Sequence, residues 1–352
     1  MNKLHSYLVL VSILLALPVS SVFAGEQGHY TPAPMALRDF VVPPKGVYFL
    51  NYNTYYNTDT FKNSSGNELN SITVAGSTTR NITIRNRSLP ITITGAGTIN
   101  LDIDIDVFAQ ALGVAVITDK KILGADWGFI ILPSWGHTSV DVAAYATAAG
   151  TISIGGITRP FSAGASASIA DDKTGFGDLF VQPLWLGWHG KHYDIGLSWG
   201  GWLPTGAYDA NYIANVGYGF FTSQTQGSFY YYPFENKATA IMFTPTWEWH
   251  SKNIDKDVQP GQNTTIEYGI GQYLHERFEI GASGFHQWQI TDDSGSLAVN
   301  TGTHDRVSGV AGQATWWAIK DKLALVAKFV QEYGARDRLE GKFGQLNVTW
   351  IQ

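Results

Sequence analysis

The sequence predicts an all-β chain folded as a transmembrane antiparallel β-barrel of about 12 strands. Three observations predict it. After Gly25 no run of 18 or more apolar residues occurs, so the chain carries no spanning helix. From Gly46 to the C-terminus, segments alternate apolar and polar with a period of two, the pattern of strands with one greasy and one wet face. The connections between them alternate between tight polar turns and long polar loops, as the two ends of a bacterial barrel require. Composition agrees: Trp 12, Tyr 17 and Phe 18 supply aromatic girdles for both membrane interfaces.

Residues 1–24 read as a signal peptide. Lys3 is its basic head, Tyr7 to Leu17 its apolar stretch, Pro18 breaks the run, and Val22 and Ala24 precede a cut before Gly25. The chain has no Cys, so it has neither a lipoprotein anchor nor a disulfide framework. Residues 25–45, dotted with Pro32, Pro34, Pro43 and Pro44, read as a periplasmic lead-in, and residues 46–352 as the barrel. The expected strands are 46–57, 99–118, 122–137, 176–188, 191–203, 219–233, 237–251, 263–274, 277–291, 305–319, 322–333 and 342–351. Tight turns fall at Asp119-Lys120-Lys121, His189-Gly190-Lys191, Phe234-Glu235-Asn236, His275-Glu276 and Lys320-Asp321. Long loops span 58–98, 138–175, 204–218, 252–262, 292–304 and 334–341. Within the first loop, Ser71 to Thr94 holds short β-prone pieces, expected as a hairpin extending the barrel, with a lumen plug as the alternative. Pro133, Pro183 and Pro245 interrupt strands and imply bulges, because proline donates no ladder bond.

The alternation also assigns faces. Ile99, Leu101, Ile103, Ile105 and Val107 alternate with Asn100, Asp102, Asp104 and Asp106, so the isoleucines are expected toward lipid and the carboxylates toward the lumen. Ile241, Phe243, Pro245, Trp247 and Trp249 likewise oppose Met242, Thr244, Thr246, Glu248 and His250. The candidate lumen-lining residues are Asp102, Asp104, Asp106, Glu248, His250, Glu267, Glu279, Gln287, Gln289 and Lys328. This lining is mostly negative and would favour cations in an open pore. Carboxylates two apart on one strand are about 7 Å apart, too far to share one ion without partners from neighbouring strands. No metal site, cofactor or catalytic residue is therefore assigned. His286 falls on the lipid side with Trp288, a position that raises a hydrolase on the outer wall as a remote alternative, but no serine on that face is evident. The tryptophans Trp127, Trp135, Trp185, Trp199, Trp247, Trp249, Trp288, Trp316, Trp317 and Trp350 lie mainly near strand ends, as girdle anchors do. The net charge of −6, which loses Lys3 with the leader, argues against nucleic-acid partners.

Several local patterns then coincide. They are Gly28-His29-Tyr30, Pro43-Pro44-Lys45-Gly46-Val47-Tyr48, Gly175-Phe176-Gly177-Asp178-Leu179, Leu203-Pro204-Thr205-Gly206-Ala207-Tyr208, Asp257 to Gly261, and Gln287-Trp288-Gln289 followed by Asp292-Asp293-Ser294-Gly295. In this order they resemble the meta-pathway of phenol degradation family of outer-membrane proteins, which includes the SphA-like proteins, from about His29 to the C-terminus. The end Trp350-Ile351-Gln352 departs from the aromatic last residue of many such barrels. The resemblance implies a Gram-negative outer-membrane barrel found with genes for breakdown of aromatic or hydrophobic compounds. The expectation is a channel, not an enzyme, passing small aromatic or hydrophobic solutes by passive diffusion. The alternative is a structural or lipid-interacting barrel without an open pore. Expected partners are outer-membrane lipids, a small-molecule solute and the outer-membrane assembly machinery.

Overall fold

A computed structural model describes residues 28–84, 87–154, 157–298 and 304–352. The expected signal peptide lies outside the described residues. The strands are β1 (Gly46–Thr58), β2 (Phe61–Lys62), β3 (Ser71–Ile84), β4 (Arg87–Ile122), β5 (Ala125–Leu132) and β6 (Ser134–Ile154). They continue as β7 (Ile157–Phe176), β8 (Leu179–His189), β9 (Tyr193–Leu203), β10 (Thr222–Tyr231), β11 (Thr239–His250) and β12 (Asn263–His275). The last are β13 (Phe278–Gln289), β14 (Arg306–Ile319), β15 (Leu323–Arg336), β16 (Arg338–Leu339) and β17 (Lys342–Ile351).

Twelve of them form a closed antiparallel barrel: β1, β4, β5, β8 through β15, and β17. Closure rests on β1, which pairs with β17 along one edge and with β4 along the other. The wall alternates as expected. On β11, Met242, Thr244, Thr246, Glu248 and His250 are buried inside, while Ile241, Phe243, Trp247 and Trp249 are exposed outside. The β4–β5 turn sits three residues later than expected. Leu123 and Gly124 both take positive φ, 51° and 78°, which a two-residue hairpin turn needs.

Two of the expected long loops are instead strands. The upper part of β4 pairs with β3 and β6, and β6 with β7, so a four-stranded sheet continues past the loop end of the barrel. β5 and β6 form one strand broken at Pro133, whose carbonyl still takes the Leu112 amide at 3.0 Å. On β7 most residues are exposed and none is buried. With water on both faces such strands need no hydrophobic alternation, so Ser-, Ala- and Thr-rich stretches read as loop. The plug alternative for Ser71 to Thr94 does not hold, since β3 and this part of β4 form the outer hairpin.

The periplasmic lead-in is a second correction. Residues 28–45 run through the barrel interior as a strap, from the turn end at Lys45 to the loop end at His29. Three apolar clusters seat it. Ala33 packs with Phe285, Val307, Val330 and Phe343. Leu37 and Phe40 pack with Tyr230, Tyr232, Ala240 and Met242. Val42 packs with Tyr48, Ile117, Ile130 and Trp185. Burying a side chain of the Val, Leu or Phe kind contributes about 1.5–3 kcal/mol. Trp185 thus belongs to the interior and not to a girdle.

The aspartate face is the third correction. On β1 the even residues point inward, and Tyr48, Leu50 and Tyr52 stand opposite Ala115, Gly113 and Ala111. The odd residues of β4 therefore point inward, Ile103 and Ile105 among them, and Asp102, Asp104 and Asp106 lie on the outer face. There Tyr55 and Asn57 hydrogen-bond Asp106, and Asp104 stands opposite Asp141 on β6. This stretch lies at and beyond the loop end, where both faces are wet, so its alternation carries no lipid signal. Accordingly, Asp104→Arg and Ile103→Arg should both assemble in lipid within about 1 kcal/mol of the wild type, whereas outward Phe329→Arg at mid-wall should cost about 2–4 kcal/mol. Refolding yields in vesicles measure the three, and an assembly defect in Asp104→Arg matching that of Phe329→Arg would refute the assigned faces.

Candidate functional site

The strap tip meets the wall at a cluster of buried polar groups below the loop end. The imidazole of His29 is held by its two nitrogens, one 2.9 Å from Asp178 Oδ2 and one 2.7 Å from Thr222 Oγ1. Its ring lies nearly parallel to Trp202, with centroids 5.4 Å apart and planes 17° apart. Tyr218 is 4.5 Å away and Phe220 meets it edge-on at 5.0 Å. Thr222 also bonds His250 Nδ1 at 2.7 Å. The neighbouring Gly28 fits because it has no side chain, since a Cβ there would stand 2.5 Å from Glu248 Oε2 and 2.7 Å from Asn263 Nδ2.

Asp178 is the hub. Besides His29 it accepts the Gly206 amide at 2.8 Å on Oδ1 and the Tyr218 amide at 2.8 Å on Oδ2. Gly206 must be glycine, because a Cβ would meet Gly177 and Gly217 backbone at 2.8 Å. The neighbouring loops are tied in the same way. Gln259 and Ser294 exchange backbone hydrogen bonds, and Asp293 accepts the Gly261 amide at 2.7 Å. Asp257 is held down to about 2 by Lys252 first and then by Ser296, which joins the β11–β12 loop to the β13–β14 loop.

Seven of the ten candidate residues point inward and surround the strap. Glu248 accepts the Tyr30 amide at 2.8 Å, and Glu267 accepts the Tyr30 hydroxyl. Gln287 donates to the Tyr30 carbonyl at 2.8 Å and accepts Arg338 at 2.9 Å. Glu279 accepts Arg38 Nε at 2.6 Å, and Lys328 donates to the Met35 carbonyl at 2.8 Å. His250 lies beside the tip, and Gln289 bonds Asp293 of the loop above. Asp102, Asp104 and Asp106 are not part of this group. Sequence reasoning missed His29, Tyr30, Arg38, Asp178 and Trp202 as site residues. Gly28-His29-Tyr30 and Gly175 to Leu179 were visible as motifs, but nothing local says that they touch.

His286 is outward, as its parity requires, and its Nδ1 lies 2.7 Å from Ser308 Oγ across the β13–β14 ladder. Tyr268 Oη stands 3.2 Å from its Nε2. A serine does therefore share the face. The backbone of both strands is committed to ladder pairing at this rung, so it offers no pair of amides to hold an oxyanion.

Residues 90–348 match the sequence model of the family described as "Putative MetA-pathway of phenol degradation". No curated protein matches by sequence. Among solved structures, the fold is similar to the COG4313 outer membrane channel from Pseudomonas putida F1, with 12% identity and a TM-score of 0.62 over 90% of this chain and 100% of that chain. The CymD monoaromatic hydrocarbon channel matches at 8% identity and a TM-score of 0.40, over 94% of this chain and 98% of that one. A Pseudomonas aeruginosa FadL homologue matches at 9% and 0.37, over 87% and 90%. The fold is that of a Gram-negative outer-membrane barrel.

His29→Ala should loosen the tip without unfolding the barrel. Losing a hydrogen bond to a charged group costs about 1.5–3 kcal/mol, so exchange of the Tyr30 amide should quicken at least tenfold. Exchange mass spectrometry of strap peptides reads this, and unchanged protection would mean that the tip is held elsewhere.

Proposed function

Because the chain belongs to the family described as "Putative MetA-pathway of phenol degradation", we propose that it is an uptake channel for small aromatic or otherwise hydrophobic compounds. Movement is by passive diffusion, and the barrel performs no catalysis. The observation that carries this reading is the seat of His29. A flat ring with polar edges sits between Trp202, Tyr218 and Phe220, and its polar atoms meet Asp178 and Thr222. A solute ring with a hydroxyl or similar substituent has the same shape and the same needs. When the strap tip withdraws, the aromatic walls offer stacking contacts and Asp178 and Thr222 offer hydrogen-bond partners.

The strap is suited to withdrawal. Its polar contacts to Glu248, Glu267, Glu279, Gln287 and Lys328 are non-covalent, and water entering an opened lumen can replace each of them. They also give buried Glu248, Glu267, Glu279 and Lys328 a partner each while the barrel is closed. The residues around the strap are candidates for the lining of the opened path. This reading favours a gated channel over a permanently closed structural barrel.

The test is uptake of labelled phenol and toluene by a strain lacking the gene and complemented with variants. Wild type should restore uptake, and Trp202→Ala should reduce it while surface levels stay normal. Deleting residues 28–42 should raise conductance in planar bilayers above that of the wild type. Equal uptake with and without the gene would sink the channel reading, and an unchanged conductance would show that the strap does not close the path.

A further inference from the structure

We propose that the outer wall of β13, β14 and β15 at the loop end binds the phosphate of an outer-leaflet lipid. Arg306 is the first residue of β14, exposed on the outward face between inward-facing Asp305 and Val307. It stands directly opposite Arg336 on β15. Arg336 is placed on the same face by this pairing, across an irregular rung at Gly334, and is half-buried, its stem and Nε lying beside Gly66 of the β2–β3 loop. Like charges opposed across a ladder repel, and neither arginine has an ion-pair partner among the described residues. The adjacent carboxylate Asp305 points inside, where Arg338 takes it at 3.3 Å. Asp292 is taken by His304 at 2.9 Å. The outward carboxylates Asp104 and Asp106 stand on β4, beyond β17 and β1. Three strand spacings make about 14 Å, more than the screening length of about 8 Å at physiological salt. An anion between the two arginines would remove the repulsion.

The height of this pair points to a lipid. One ladder step toward the turn end lies the outward chain Tyr268–His286–Ser308, whose polar atoms satisfy one another. Gly284 makes it possible, because a Cβ there would come within 2.9 Å of the Tyr268 ring that lies across it. Polar side chains joined in this way on a lipid-facing wall mark the edge of the hydrocarbon. Trp288 directly opposes Arg306, and Tyr333 opposes Ser308. Both rings belong where aromatic side chains meet headgroups. The arginines therefore sit at headgroup depth on the outward face, with the β2–β3 loop beside Arg336, and Arg forks match phosphate oxygens two at a time. The ligand is the phosphate of a lipid in the leaflet at the loop end, distinct from any solute passing through the lumen.

The experiment uses the full-length protein in detergent micelles, with fluorescent diphosphoryl lipid A as the probe. Arg306→Gln/Arg336→Gln should weaken binding about tenfold or more, and Arg306→Lys/Arg336→Lys should keep part of it. Heat-modifiable migration on gels checks that each variant is folded. If the Gln pair does not fold, the Lys pair compared with wild type carries the test: it should bind the probe several-fold more weakly because an ammonium cannot make the bidentate bond, with a like salt dependence in both, and equal binding by the two would overturn the proposal. Dephosphorylated lipid A should bind wild type as weakly as the diphosphoryl form binds the Gln pair. Equal binding of both lipids, or equal binding by wild type and the Gln pair, would overturn the proposal. Displacement of the probe by an equal concentration of inorganic phosphate would also overturn it, because the site would then recognise free phosphate and not a lipid.

Discussion

Strand β1 pairs on both edges, with β17 and with β4, and everything else follows from that closure. A sheet in hydrocarbon cannot leave an edge of unpaired amides, so the wall must seal. Once sealed, it sorts side chains by parity into a lipid set and an interior set. The interior set here is rich in charge: Glu248, Glu267, Glu279, Lys328 and Glu332 are all buried. Bulk water cannot solvate charges inside a narrow barrel filled by a peptide, so the filling peptide must.

The strap meets that requirement with its own polar groups. Its backbone supplies the Tyr30 amide to Glu248 and the Met35 carbonyl to Lys328. Its side chains supply Arg38 to Glu279 and His29 to Asp178. Apolar clusters at Ala33, Leu37 with Phe40, and Val42 alternate with these polar contacts along its length. A plug covalently joined to the wall at Lys45–Gly46 and otherwise held by non-covalent contacts can be stable closed and still leave when water takes over its polar contacts. The ring of His29 then acts as a stand-in for a solute ring at the narrow end of the path.

The short motifs gain meaning only in pairs. Gly175 to Leu179 and Pro204-Thr205-Gly206 are one structure, because Asp178 takes the Gly206 amide and the two backbones touch. Asp257 to Gly261 and Asp292 to Gly295 are another, joined through Gln259 with Ser294 and Gly261 with Asp293. Gly28-His29-Tyr30 closes the first pair from inside. These are the contacts that shape the mouth.

The sequence by itself determined the all-β class, the barrel of about 12 strands, and most wall strands to within a few residues. It did so because lipid on one side and a polar interior on the other impose a period of two. It also determined the parity of Glu248, His250, Glu267, Glu279, Gln287, Gln289 and Lys328, which lie on strands that feel that asymmetry. Only the tertiary structure decided the faces of Asp102, Asp104 and Asp106, since water bathes both sides of that sheet and either face satisfies a carboxylate. Only the tertiary structure decided where residues 28–45 lie. A proline-dotted segment has no periodicity to read, and its place is set by groups up to 293 positions away, as in the bond from Lys328 to Met35.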